Sequence, residues 1–383
     1  MRLRENCFRK VGLKKENFLA ARAERVRDFL AKTNADALLV THPVNLLYLT
    51  GLHLSMGQLL IDREEARLFV DSRYIEEAEA KAPMEVQLWQ PDLLLNQLSI
   101  LSWIERLGFD SANTSHQNYL QLQKMVEEVE MRSGGERRCS LTPLDDPIGK
   151  IRMIKDVGEV DRLRRAGALG SRGYDLACTL LKEGITEEEI AREVEIFWLR
   201  NAAQGVAFDL IVAFGANSSR PHHTTGKTKL KKGMPVLMDI GVLLEDYHSD
   251  MTRVVFFGTP DKTMERVYTV VQEAQKAALD LCRPGIPLVD LDAAARGVIA
   301  AAGYEERFTH GLGHGVGLEI HEAPSLRKVS SGNTDRLQEE MVVTIEPGIY
   351  LPGIGGIRIE DTVAITATGH ENLTQRSTDL LVL

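Results

Sequence analysis

Cysteine is scarce in this chain: four residues among 383, at positions 7, 139, 178 and 282, all far apart. Their spacing offers no Cys-x-x-Cys knuckle for zinc and no disulfide framework, and it fits reduced thiols in a reducing compartment. No uninterrupted apolar run reaches the roughly 18 residues that a membrane span needs. The first ten residues, Met-Arg-Leu-Arg-Glu-Asn-Cys-Phe-Arg-Lys, are basic but have no apolar signal core. The expected location is therefore cytoplasmic, with no membrane partner. An excess of positive charge is also missing, and a net charge of −9 argues against a general nucleic-acid binder. Neither Gly-x-Gly-x-x-Gly nor a Walker pattern occurs, which removes the usual phosphate loops.

What is present is an ordinary globular composition, 44% hydrophobic and 26% charged, in a chain long enough for two cores. The first part alternates helical and strand-like segments. Glu16 to Lys32 has helical periodicity, and Ala35 to Thr41 reads as a buried strand. Leu59 to Ile61 and Leu68 to Val70 flank a turn and read as a hairpin. A charged helix is expected from Ser72, and a further one from Pro91 to Arg106. The run from Thr142 to Gly149 contains two prolines and reads as a linker, which puts the domains at 1–147 and 148–383. The second part opens with a helix from Asp156 to Leu181, and Thr186 to Glu189 forms a capping box for the next. About a hundred residues later the pattern recurs, with a helix from Lys262 and another ending at Gly303. Both helix pairs share a Gly-Ile connector, Gly184-Ile185 and Gly285-Ile286, so two related halves are expected.

Each half also carries an acid-bearing hairpin. Asp239 and Asp250 sit in one, Glu346 and Glu360 in the other. Taken singly, Asp239 or Asp250 reads as a turn or edge residue, and Glu360 as the partner of nearby Arg358. Together they are four acids in apolar, β-branched surroundings, where a carboxylate is costly unless paired or bound to a cation. His314 lies between the pairs in Thr-His310-Gly-Leu-Gly-His314-Gly-Val-Gly-Leu-Glu-Ile-His321-Glu, where the glycines oppose a helix and allow close approach. One ligand and two proton-active groups are expected from its three histidines. Taken alone, Gly215 to His223 reads as a surface loop, but the apolar strand expected from Phe208 to Phe214 before it could deliver His222 to a cleft. Four carboxylates and an imidazole exceed what one divalent ion needs and match a two-metal centre, in which acids bridge ions about 3.5–4 Å apart. Oxygen-rich ligation suits manganese and its neighbours, and the chemistry is hydrolysis of an amide or ester.

The ordered set Asp239, Asp250, His314, Glu346 and Glu360 resembles the ligands of the dinuclear pita-bread metallopeptidases, which include methionyl aminopeptidase, aminopeptidase P and prolidase. The likeness extends to Pro-His222, His310-Gly-Leu-Gly-His314, His321-Glu, Glu346-Pro-Gly-Ile-Tyr and Arg358-Ile-Glu360-Asp. Ala35 to Gly51 and Val-Asp71-Ser-Arg-Tyr74 resemble the extra domain of the Xaa-Pro branch, which methionyl aminopeptidases lack. The implied fold is a creatinase/prolidase-like α/β N-terminal domain followed by an α+β pita-bread catalytic domain with pseudo-twofold related halves. The implied activity is hydrolysis of the Xaa-Pro bond at peptide N-termini by a metal-bridging water, as in aminopeptidase P. The alternative is a prolidase restricted to dipeptides; Arg327 reads first as a solvated loop arginine and second as a candidate for a substrate carboxylate. Two divalent ions are implied, manganese first, with cobalt or zinc as alternatives. Asp250 and Glu360 would bridge them, Asp239 would complete one site, and His314 with Glu346 the other. Glu346 would also accept the water proton, His222 and His321 would position the carbonyl, Arg358 would orient the acids, and His310 would line the pocket. Proline-containing peptides and a homodimer are the implied partners. Three positions depart from the pattern: Asp246 before Tyr247, Val254 after Arg253, and His223 after His222. A non-catalytic peptide-binding module and a metal-free creatinase-like hydrolase remain as other readings, and five intact ligands oppose both.

Overall fold

The computed structural model describes residues 15–327 and 335–383, so Cys7 and the basic start of the chain lie outside the described residues. The chain divides into two compact units, the first ending at Arg152 and the second running from Met153 to Leu383.

The first unit contains, in order, α1 (Lys15–Leu30), β1 (Ala37–Val40), α2 (Pro43–Thr50), β2 (Gly57–Asp62), β3 (Ala66–Val70), α3 (Ile75–Lys81), β4 (Glu85–Leu88), α4 (Leu93–Ile100), β5 (Arg106–Asp110), α5 (His116–Arg132), β6 (Ser140–Leu144) and α6 (Pro147–Arg152). Its six strands form one sheet in the order β4-β3-β2-β1-β5-β6, in which only β2 is antiparallel to its neighbours. The expected hairpin is the β2–β3 pair. Several expectations need correction. The stretch read as a linker is β6 followed by α6, because Pro143 occupies an edge strand and Pro147 the first turn of a helix, both places that tolerate a missing N–H. The charged helix starts at Ile75, after a turn in which Asp71 accepts from the backbone of Arg73. The helix near Pro91 is only α4, and Arg106 already belongs to β5.

The second unit contains α7 (Val157–Leu180), α8 (Glu187–Arg200), β7 (Gly205–Val206), β8 (Ile211–Phe214), β9 (Met234–Ile240), β10 (Val242–Leu244), β11 (Tyr247–His248), β12 (Met251–Phe257), α9 (Lys262–Leu279), α10 (Leu288–Ala301), β13 (Gly313–Gly315), β14 (Glu322–Leu326), β15 (Val342–Ile345), β16 (Gly348–Leu351), β17 (Gly355–Arg358), β18 (Asp361–Thr366), β19 (Gly369–Asn372) and β20 (Leu381–Val382). Asp156 and Thr186 close capping boxes on α7 and α8, each satisfying end groups that a helix leaves unpaired. The two halves match: a helix pair, then an antiparallel strand pair interrupted by a small inserted hairpin. In the first half β9 pairs with β12 around β10 and β11; in the second β15 pairs with β18 around β16 and β17.

Strand alternation explains where the core lies. Val212, Phe214, Val236, Met238 and Val255 face a core with Trp198 and Leu169 of the first helix pair. Ile211, Ala213, Leu237, Val254 and Phe256 face the opposite core, with Val267, Val271 and Leu291 of the second pair. Both faces of these strands are buried, which is why they read as nearly continuous apolar runs. No helix of the described residues is long and apolar enough to cross a membrane.

Candidate functional site

The acids stand where these strand pairs open. Asp239 lies within β9, opposite Thr252, whereas Asp250 immediately precedes β12. Glu346 immediately follows β15 and Glu360 immediately precedes β18, whose ends pair through Ile345 and Asp361. Three of the four acids therefore flank strands instead of sitting within them, as the sequence had implied. A residue just past the last ladder pair keeps a fixed direction while its carboxylate stays free of the sheet.

All of the expected residues line one cavity of about 690 Å³: Asp239, Asp250, Glu346, Glu360, Arg358 and the histidines at 222, 310, 314 and 321. A cavity of about 570 Å³ exists in the first unit too, but no histidine lines it. The donor set, not the volume, distinguishes the site.

Asp250, His314 and Glu360 bring ligand atoms within 4.8 Å of one another. His314 Nε2 lies 3.4 Å from Glu346 and 3.7 Å from Asp250. The other ring nitrogen, Nδ1, is 3.0 Å from the Gly315 carbonyl and donates to it, which leaves Nε2 as the free lone pair facing the acids. Gly313 makes this possible, since a Cβ there would collide with the Thr344 carbonyl. His321 packs edge-on against His314, ring centres 4.3 Å apart. His222 is exposed at the cavity wall, on the stretch after β8 and a short 3-10 turn.

Arg358 is the buried cation among these acids. It donates to Asp239 Oδ2 at 2.5 Å, to the Tyr350 hydroxyl at 2.8 Å and to Thr252 Oγ1 at 3.1 Å. Tyr350 donates in turn to His310 Nε2 at 2.8 Å, and His310 Nδ1 donates to the Gly311 carbonyl. Burial pushes the Tyr350 phenol up to about 12, so it keeps the proton it donates. Burial lowers His310 and His314 to about 4, so both rings are neutral at physiological pH. The sequence reading missed Tyr350, Thr252 and Thr344. Thr252 donates to Glu360 at 2.6 Å, and Thr344 donates to Glu346 at 3.3 Å. Tyr350 stood in the Glu346-Pro-Gly-Ile-Tyr motif without a role, and for the two threonines the signal was strand alternation beside an acid.

Burial pushes Asp250 and Glu360 well above the carboxylate range, with neighbouring acids adding to it, and raises Glu346 to about 8. Asp239 Oδ1 is buried without a hydrogen-bond partner. Acids crowded in this way, one oxygen orphaned, beside a neutral imidazole lone pair, fit divalent cations.

The sequence of residues 161–367 matches the model of metallopeptidase family M24, and residues 22–154 match the creatinase/prolidase N-terminal domain. The chain belongs to metallopeptidase family M24. It is 35% identical over 361 residues to an Xaa-Pro dipeptidase of Pyrococcus horikoshii, covering 94% of this chain and 98% of the relative. The solved structure of an Xaa-Pro dipeptidase from Bacillus anthracis superposes with a TM-score of 0.88 at 30% identity, over 95% of this chain and 100% of that one. The X-Pro aminopeptidase of Thermotoga maritima gives 0.82 at 32%, over 94% and 100%. As an M24 member the protein is a metal-dependent hydrolase, with a creatinase/prolidase N-terminal domain followed along the chain by the pita-bread fold.

Proposed function

We propose that the protein is an Xaa-Pro dipeptidase, a hydrolase that splits the bond before proline with two divalent ions held by Asp239, Asp250, His314, Glu346 and Glu360. The observation that carries this reading is the convergence of all five groups on one cavity, with His222 and His321 on its walls. Divalent ions held there supply Lewis acidity and an acidified water. Manganese is the ion of choice for so oxygen-rich a set. Asp250 and Glu360, the most acid-crowded pair, would hold the ions together with His314, whose ligand atoms lie close to theirs. Glu346, whose carboxyl lines the cavity beside His314, would accept the proton of the attacking water. His222 and His321 bind the scissile carbonyl oxygen and stabilise negative charge on it. Arg358 orients Asp239, and His310 shapes the pocket through Tyr350.

The dipeptide form is supported by relatives named as Xaa-Pro dipeptidases and by Arg327, which lines the cavity and offers a cation to a substrate carboxylate. An aminopeptidase P-like enzyme acting on longer peptides is the second reading, favoured by the likeness to the Thermotoga maritima aminopeptidase. Comparing Xaa-Pro dipeptides with Xaa-Pro-Yaa peptides, manganese supplied, separates the two. Release from neither, together with fewer than one tightly bound ion per chain, would favour a non-catalytic binding module instead. The reading extends to a cytoplasmic homodimer. Free Cys139, Cys178 and Cys282 support the reducing compartment, and sedimentation tests the dimer.

A further inference from the structure

Lys155 is a fully buried lysine at the start of the second unit, 1% exposed in its side chain. Its Nζ donates to Glu322 Oε1 at 2.6 Å, and the Glu322 side chain is itself 5% exposed. Two charges taken out of water in this way are costly unless their geometry is good, so the pair needs an explanation beyond stability. Its place in the fold offers one. Lys155 is anchored through its backbone N–H to the Glu340 carbonyl, 2.9 Å away, and the preceding Ile154 bridges Met341, the residue before β15. The side chain reaches across to the first residue of β14. Lysine 155 therefore ties β15, which leads into Glu346, to β14, which follows directly on His321.

We infer that Lys155 is a positioning residue for His321, acting through Glu322. His321 sits in the bend directly before β14, so holding the neighbouring Glu322 carboxylate in the interior limits how that bend can turn the imidazole that lines the cavity. The packing leaves that carboxylate little other room: Gly317 has no side chain, and a Cβ there would strike the Glu322 carboxylate. The β13–β14 pairing shifts register between His314 and Gly315, the latter paired with Glu322, so the strand ladder alone does not set the spacing of His314 and His321. The ion pair supplies the missing constraint. His321 then holds its edge-on contact with His314 at 4.3 Å and meets the scissile carbonyl from a fixed direction.

The functional part of this inference rests on the peptidase reading, and turnover by the parent enzyme is the control for that reading. In the manganese-loaded protein, Lys155→Met should lower kcat by about 10–100-fold, the cost of a small misplacement of a catalytic group. KM should move less than about threefold, because the carbonyl contact matters most in the transition state. Manganese stoichiometry should match the parent. A purely structural pair would behave differently in the double variant Lys155→Met with Glu322→Met, since apolar replacement of a buried pair restores stability. The proposal expects the double variant to melt near the parent yet keep the low kcat, and recovery of kcat along with melting temperature would overturn it. Glu322→Gln keeps an acceptor for Nζ and should rescue kcat to within about threefold of the parent. That variant keeps the question open to refutation if Lys155→Met does not fold, because a loss as large as the double variant's would reject the role assigned to the tie. A turnover-independent readout is the imidazole nitrogen signals of His321 in metal-free protein, which should shift in Lys155→Met and hold in Glu322→Gln. Unshifted signals in Lys155→Met would also reject the positioning role.

Discussion

Arg358 and Asp239 meet at 2.5 Å although one ends β17 of the second half and the other lies in β9 of the first. The guanidinium takes one carboxylate oxygen and leaves Oδ1 buried and without a hydrogen-bond partner. One fork thus fixes which oxygen of Asp239 is left for a cation. Its other nitrogens hold Tyr350 and Thr252, so the same residue sets the pocket wall and the hydroxyl on Glu360.

Arg358→Lys should for that reason be far from conservative. A lysine keeps the charge but cannot hold three partners in a planar fork. Loss of an orienting neighbour of a metal ligand costs about 10–100-fold in affinity or activity. Manganese titration of the metal-free variant, alongside kcat, measures it. Parental affinity together with parental kcat would show that Asp239 needs no such brace.

Glu346→Ala should abolish turnover while leaving the fold intact. Removing a buried carboxyl that burial already pushes to about 8 relieves a desolvation cost instead of creating one. Melting of the metal-free variant should equal or exceed that of the parent. Near-normal turnover would remove Glu346 from the role of proton acceptor.

The metal-free protein should lose stability as pH rises. Glu346 titrates near 8 in the fold and near 4.5 when unfolded, so between those values the folded chain holds the extra proton. Stability from this group is complete below about 4.5 and lost as pH climbs through about 8. Asp250 and Glu360 are displaced in the same direction and add to the slope. Manganese should reverse it, releasing protons on binding and raising the melting temperature more at pH 8 than at pH 5. Calorimetry in buffers of different ionisation heat reads the protons directly. A metal-free melting temperature that climbs from pH 5 to 8 would contradict the assignment.

The cluster of acids was legible in the sequence because carboxylates beside apolar, β-branched runs are conspicuous, and the repeat of helix pairs placed them in matching halves. Capping residues Asp156 and Thr186 likewise announced their helices locally. What was not legible depended on distant partners. Pro143 and Pro147 looked like linker residues until the sheet edge and the helix start that tolerate them were known. His223 stood out only as an odd neighbour of His222. Its ring bonds Glu187 at 2.9 Å, across 36 positions, and no local pattern encodes that contact.

Glu187 is accordingly the next test. Fully buried at the start of α8, it accepts from the backbone of Phe214 and Gly226, from Asn217 and from His223 Nε2. These four contacts bracket the loop that carries His222. Glu187→Ala would strand several buried donors, each worth about 1–3 kcal/mol. A drop in melting temperature of several degrees is expected, at about 2–4 °C per kcal/mol for a unit of this size. Hydrogen exchange should quicken across residues 214–226 before the rest of the unit. Uniform exchange with an unchanged melting temperature would mean the loop is held by other contacts.

Substrate length is the remaining choice, and Arg327 tests it. It closes the exposed end of β14, two residues beyond Ser325 and so on the same side of the strand; both residues line the cavity. Gly311 allows this approach, because a Cβ there would press on the Arg327 Cβ at 2.9 Å. A dipeptide presents its carboxylate one residue past the scissile bond, whereas in a longer peptide that position is a neutral amide. Arg327→Gln should therefore raise KM for Xaa-Pro dipeptides by about 10-fold, the scale of one charge-assisted hydrogen bond, and leave Xaa-Pro-Yaa peptides within about twofold. Equal effects on both substrate lengths would show that Arg327 does not read the carboxylate, and the aminopeptidase P-like reading would then gain.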